Sequence, residues 1–154
     1  MQNYLVDSHC HLDRLDLSPW EDNIDGALDN AKENRVGHML CVSIALETFP
    51  NLLDIAEKHD EVSVSVGVHP NETDCQEPDA DELLRLAQHP KVVAIGETGL
   101  DYFRSQGDLT WQHNRFREHI QAAKACDKPL IIHTRESTAD TLKILAEERA
   151  NEVG

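Results

Sequence analysis

Two hydrophobic rhythms alternate along this chain. Short apolar runs stand near residues 3–9, 37–43, 62–68, 92–97 and 129–133, and in the third of them Val62, Val64 and Val66 alternate with polar residues as a strand does. Between them lie stretches near 20–35, 47–60, 79–89 and 110–127, with a last one near 137–150, that read as helices. Leu83, Leu84, Leu86 and Ala87 form one helical stripe. Ser18-Pro19 predicts an N-cap with proline at the first helical position, Asp79 with Glu82 three residues on predicts another cap, and Gly37 and Pro90 stand where helices should stop. Strict β-α alternation predicts a parallel sheet with right-handed crossovers.

No linker or low-complexity tract divides the sequence, so residues 1–154 read as one domain of five β/α units. A doubly wound nucleotide-binding sheet is disfavoured, because no G-x-G-x-x-G follows the first strand. The alternative is a (β/α)8 TIM barrel, which takes about 250 residues. Against that size the sequence reads as a barrel truncated after about five units, β1 to α5, with a sixth strand due where residues 151–154 stand.

Composition narrows the class. With 40% hydrophobic residues the chain can bury a core, and its formal charge of −15 opposes broad binding along a nucleic-acid backbone or an anionic membrane. The charge leaves room for a phosphate substrate held through divalent cations, which reverse the local sign of a site. Cys10, Cys41, Cys75 and Cys126 form no C-x-x-C pair, which predicts reduced thiols and a cytoplasmic protein. No basic, apolar leader opens the chain and no apolar run approaches 18 residues, so no membrane association is expected.

Candidate chemistry sits at the carboxyl ends of the strands, where parallel α/β folds gather it. In Asp7-Ser8-His9-Cys10-His11-Leu12-Asp13 two imidazoles lie two residues apart, on one face of an extended chain, with Asp7 and Asp13 in phase if the strand persists. Two imidazoles on one face can grip one metal ion. The run at 92–97 ends on Glu97 and is followed by Gly-rich turn chemistry; the run at 129–133 ends on His133. The segment from Thr98 to Asp108, with Asp101, Tyr102, Arg104 and Gly107, reads as a loop able to carry substrate contacts.

Four blocks taken together, DSHCHLD at 7–13, GVHP at 67–70, GETGLDYF at 96–103 and PLIIHTR at 129–135, resemble the TatD family of metal-dependent hydrolases in order and spacing. The resemblance implies a (β/α)8-type barrel with two divalent metal ions at the strand carboxyl ends. It implies that His9 and His11 bind one ion, that Glu97 bridges both and that His133 binds the second. His69 and Arg135 become candidates for substrate or phosphate contact. Zinc, manganese, nickel and magnesium stay open, although paired imidazoles lean away from magnesium alone.

Family members carry a further metal-binding His after the sixth strand and an Asp near the eighth, the usual candidate for general base. Neither falls within these 154 residues, so metal held by the half-site is expected to bind more weakly than in a complete one. The implied activity is metal-assisted hydrolysis of a phosphodiester, as by a deoxyribonuclease acting at DNA ends, with DNA or a small phosphodiester as substrate. Hydrolysis of C–N or ester bonds in a small molecule by an amidohydrolase-type enzyme, and a non-catalytic fragment, are the rival readings. Arg104, Arg135, Tyr102 and Phe103 lean towards the first, since phosphates and bases need such groups. Two unpaired sheet edges are expected to promote self-association.

Overall fold

The computed structural model describes residues 4–153. Five strands, β1 (Leu5–Cys10), β2 (Val36–Cys41), β3 (Val62–Val66), β4 (Val92–Asp101) and β5 (Leu130–Arg135), form one sheet in the order β1-β2-β3-β4-β5, every pair parallel. Sequential order with a helix after each strand is the arrangement of a barrel wall, and it makes a half-barrel here. The helices are α1 (Ile24–Glu33), α2 (Phe49–Lys58), α3 (Ala80–Ala87), α4 (Thr110–Cys126) and α5 (Thr138–Glu147). No helix among the described residues is long and apolar enough to cross a membrane.

The main core lies between sheet and helices. Val62, Val64, Val66 and Ile95 from the strands pack on Leu28 of α1, Leu52 and Ala56 of α2, Leu83 of α3 and Ala123 of α4. Burying each large member stabilises the fold by about 1.5–3 kcal/mol. A smaller cluster of Leu100, Phe116, Ile120 and Ile144 joins β4 to α4 and α5. Edge strand β1 is different: Leu5 and Val6 are each 64% exposed.

Four local expectations are corrected. Ser18–Trp20 is a separate 3-10 turn, and α1 starts only after Asn23, whose side chain accepts the amide of Asp25 at 3.0 Å. Glu21 and Asp22 between them have positive φ (55° and 58°), which no continuous right-handed helix allows. Gly37 does not stop α1, which is capped at Asn34. It lies inside β2, where a Cβ would meet Cβ of Tyr4 at 2.8 Å.

The Gly-rich stretch after Glu97 is strand, not turn, because β4 continues to Asp101 and pairs with β5 as far as Arg135. A register shift between Ile95 and Thr98 absorbs the irregularity, and Gly96 takes the φ of +136° that goes with it. Asp13 is not in phase with the histidines, because the chain leaves the extended state at His11 and turns through a 3-10 helix at Leu12–Arg14.

Asp79 does cap α3, accepting the amide of Glu82 at 2.7 Å. Beyond β3 the backbone of Gly67 passes so close to β4 that a Cβ there would lie 2.6 Å from Cα of Gly96. That approach draws the segment carrying His69 in against Glu97.

Candidate metal centre

Ser43 and Ser65 tie the strand ends together. Ser65 Oγ accepts the Ser43 amide at 3.1 Å and donates to the Gly96 carbonyl at 2.6 Å, while Ser43 Oγ donates to Gly67 O at 3.0 Å. The Glu97 amide then donates to Ser43 O, and the His69 amide to Ile44 O, each at 2.9 Å. Backbone positions either side of the pocket are fixed before any side chain of the pocket is considered.

Glu97, only 8% exposed, is the hub. One carboxylate oxygen lies 3.2 Å from His9 Nε2; the other lies 3.4 Å from His133 Nδ1 and 3.7 Å from His69 Nε2. The side chains fall into two groups that share this carboxylate, His9–His11–Glu97 and His69–Glu97–His133, with the candidate ligand atoms of each within 4.8 Å of one another. All five residues singled out in the sequence therefore meet in one pocket.

Hydrogen bonds to the far nitrogens decide what each ring offers. His11 Nδ1 donates to Val42 O at 2.9 Å, which leaves the Nε2 lone pair free. His133 Nε2 donates to Asp101 Oδ2 at 3.0 Å, which turns the Nδ1 lone pair towards Glu97. His69 is the reverse: its Nδ1 accepts the Asn71 amide at 3.1 Å, so the neutral ring presents Nε2–H to the pocket. Burial pushes the His69 pKa down to about 4, outweighing the attraction of the Glu97 charge, with the neighbouring His133 acting in the same sense as burial. Among these rings, then, His11 and His133 offer electron pairs and His69 offers a donor.

Asp101 was read as a loop residue; it is the fully buried last residue of β4. Burial alone would raise its pKa. Donation from the Arg104 amide (2.9 Å), the Asn71 side chain (2.9 Å) and His133 outweighs that and holds the carboxyl below its ordinary range. Imidazoles around a shared carboxylate, with second partners already in place, fit a divalent cation. Among the described residues, Asn71 Oδ1 and Thr98 Oγ1 are buried without a hydrogen-bond partner.

The residues that sequence reasoning missed lie on the buried face of α4. Gln112, Arg115 and His119 project from it towards the pocket loops. Gln112 accepts the Asp101 amide at 2.9 Å and donates to Ser105 at 2.7 Å. Arg115, 2% exposed, donates to the carbonyls of His69 and Glu72 (2.8 Å each) and to Glu77. His119 donates from Nδ1 to Arg115 O and accepts the Val68 amide at 2.9 Å. Their spacing of three and four residues was the available signal, since a polar stripe on the same face as Phe116, Ile120 and Ala123 has to find partners inside.

His119 predicts a pH dependence of stability. Burial holds its pKa at about 4 when folded, against an ordinary value of 6.5. The folded protein therefore binds fewer protons between these values, so the stability contribution is complete above pH 6.5 and is lost as pH falls towards 4. The expected loss is about 3 kcal/mol. Urea unfolding across pH 4–7 should show it, and His119→Gln, which does not titrate, should remove about that much of the change.

The family model described as TatD related DNase matches residues 6–154. The chain belongs to the TatD family. It is 41% identical over 152 residues to the metal-dependent hydrolase YcfH of Escherichia coli (strain K12), covering 98% of this chain and 57% of that protein. Two solved TatD-family structures share its fold. A TatD family hydrolase from Entamoeba histolytica superposes with a TM-score of 0.82 at 29% identity over 99% of this chain and 57% of that one. The TatD homologue YjjV of Escherichia coli K12 gives a TM-score of 0.81 at 27% identity, over 95% and 56% respectively. The chain thus spans somewhat over half the length of the relatives it matches.

Proposed function

We propose that these residues form part of the single barrel domain, and part of the active pocket, of a divalent-metal-dependent phosphodiesterase that acts on DNA ends. The observation that carries the reading is the Glu97 carboxylate shared between two histidine groups. His9, His11 and one Glu97 oxygen would hold one ion; the other oxygen and His133 Nδ1 would hold a second. Bound divalent ions supply Lewis-acid polarisation of a phosphoryl oxygen and lower the pKa of water. Asp101 keeps a proton on His133 Nε2 and the electron pair on Nδ1, and Val42 O does the equivalent for His11. His69 presents Nε2–H to a phosphoryl oxygen as a neutral donor. The family description as a DNase supports nucleic acid as the substrate class.

The test is hydrolysis of bis(p-nitrophenyl) phosphate by the whole barrel domain that contains these residues, supplied with manganese or zinc. Release of p-nitrophenolate that stops on chelation is the expected result. Turnover of p-nitrophenyl acetate alone would move the reading to carbon esters, and turnover of neither would overturn it. For the 154-residue chain on its own we also propose self-association, since β1 and β5 are its sheet edges and Leu5 and Val6 lie exposed on one of them. Sedimentation equilibrium should give a mass above the 17.3 kDa of one chain; a monomer at every concentration would refute it.

A further inference from the structure

Immediately beyond the pocket, at the carboxyl ends of β4 and β5, Arg135 lays its guanidinium over the ring of Phe103, with Cζ 3.8 Å from the ring centroid. We propose that this pair is a reading rim for a terminal nucleotide, the base stacking on Phe103 and its phosphate taken by Arg135; the proposal rests on the phosphodiesterase reading and assigns to it two positioning residues.

Three observations carry it. First, Phe103 is 55% exposed although a guanidinium lies over its ring. Such a surface is costly for a lone loop residue and useful as a stacking platform, because every base has a π-face. Second, Arg135 makes no ion pair or hydrogen bond through its guanidinium among the described residues. Among the described residues, Arg115, Arg117 and Arg149 are paired with carboxylates while Arg14, Arg35, Arg85 and Arg104 are not, so what sets Arg135 apart is its place over the Phe103 ring beside the pocket. Contact with the ring engages none of the guanidinium N–H donors in a hydrogen bond, which leaves them for a phosphate.

Third, the pair is tied rigidly to the pocket. Asp101, which orients His133, also accepts the amides of Phe103 at 3.0 Å and Arg104 at 2.9 Å, and the Tyr102 amide donates to Arg135 O at 2.9 Å. Tyr102 itself is clamped between His113 and Asp140, at 2.7 Å from each. Arg135 follows His133 by two residues on the same face of β5, a step of about 6.6 Å along the strand. A nucleotide seated on the rim would direct its next ester linkage into the space bordered by His133 and Glu97. The net charge of −15 repels long polyanions, so recognition of one end nucleotide by one stack and one cation suits this surface better than a track.

The test uses a ten-nucleotide phosphorothioate single strand, resistant to cleavage, carrying fluorescent 2-aminopurine at its terminal position, titrated with the manganese-supplied chain. Binding should quench the fluorescence. Phe103→Leu, on an exposed side chain, should abolish the quenching and weaken binding about tenfold. Arg135→Gln should weaken binding and lower the salt slope by about one. A strand with an abasic site at its terminus should bind the unaltered chain no better than the intact strand binds Phe103→Leu. Equal binding of abasic and intact strands, undiminished quenching by Phe103→Leu, or no quenching by the unaltered chain would each overturn the proposal. Quenching without hydrolysis of bis(p-nitrophenyl) phosphate would sink the hydrolase reading and spare the rim; hydrolysis without quenching would do the opposite.

Discussion

Glu97→Gln is expected to lower divalent-metal affinity by at least about 100-fold, more than loss of an outer-shell partner costs, while leaving the fold intact. Glutamine has the shape of glutamate but lacks its charge, and one of its two terminal atoms is a donor rather than an acceptor. Both histidine groups converge on this one carboxylate, so a single change weakens both at once. His9→Ala should affect only one group, since His9 approaches Glu97 through a different oxygen from His133 and His69. Isothermal titration with manganese or zinc distinguishes the two. Equal losses from Glu97→Gln and His9→Ala would show that the carboxylate is not shared between ions. A Glu97→Gln protein that binds metal as tightly as its parent would remove the basis of the proposed function.

Arg115→Met is expected to destabilise the chain by about 2–5 kcal/mol, the cost of leaving two buried carbonyls without their donor at about 1–3 kcal/mol each. The stem is preserved and the fork is lost, so the carbonyls of His69 and Glu72 are left buried without their donor. Glu77 contributes less to this sum. Its side chain is 57% exposed, and Glu77→Gln should cost under about 1 kcal/mol. Urea midpoints measured above pH 6.5, where His119 adds no slope, give both values. A loss below about 1 kcal/mol for Arg115→Met would mean that the loop from His69 to Glu77 is held by something other than α4.

The two variants separate two kinds of information in the chain. Glu97, His9, His11 and His133 stood out because each closes or follows an apolar run, and strand ends are where a parallel sheet exposes functional groups. His69 emerged only from resemblance, because GVHP follows β3 without ending it. Asp101 was misplaced for a local reason: two glycines around Glu97 look like a turn, and only pairing with β5 shows that the backbone stays extended through them. Ser18-Pro19 failed similarly, since a good cap was present but the next two residues took positive φ.

The sequence by itself determined the order of strands and helices, the parallel sheet and four of the pocket residues, because hydrophobic period and strand-end position are local properties. Tertiary structure decided which nitrogen of each histidine faces the pocket. It also decided that Asp101 reaches His133 across 32 residues, and that Gln112, Arg115 and His119 on α4 hold loops 11 to 51 residues away. Those assignments depend on hydrogen-bond partners brought together by sheet order and crossover, and a buried polar group takes whichever partner the fold places within 3 Å of it.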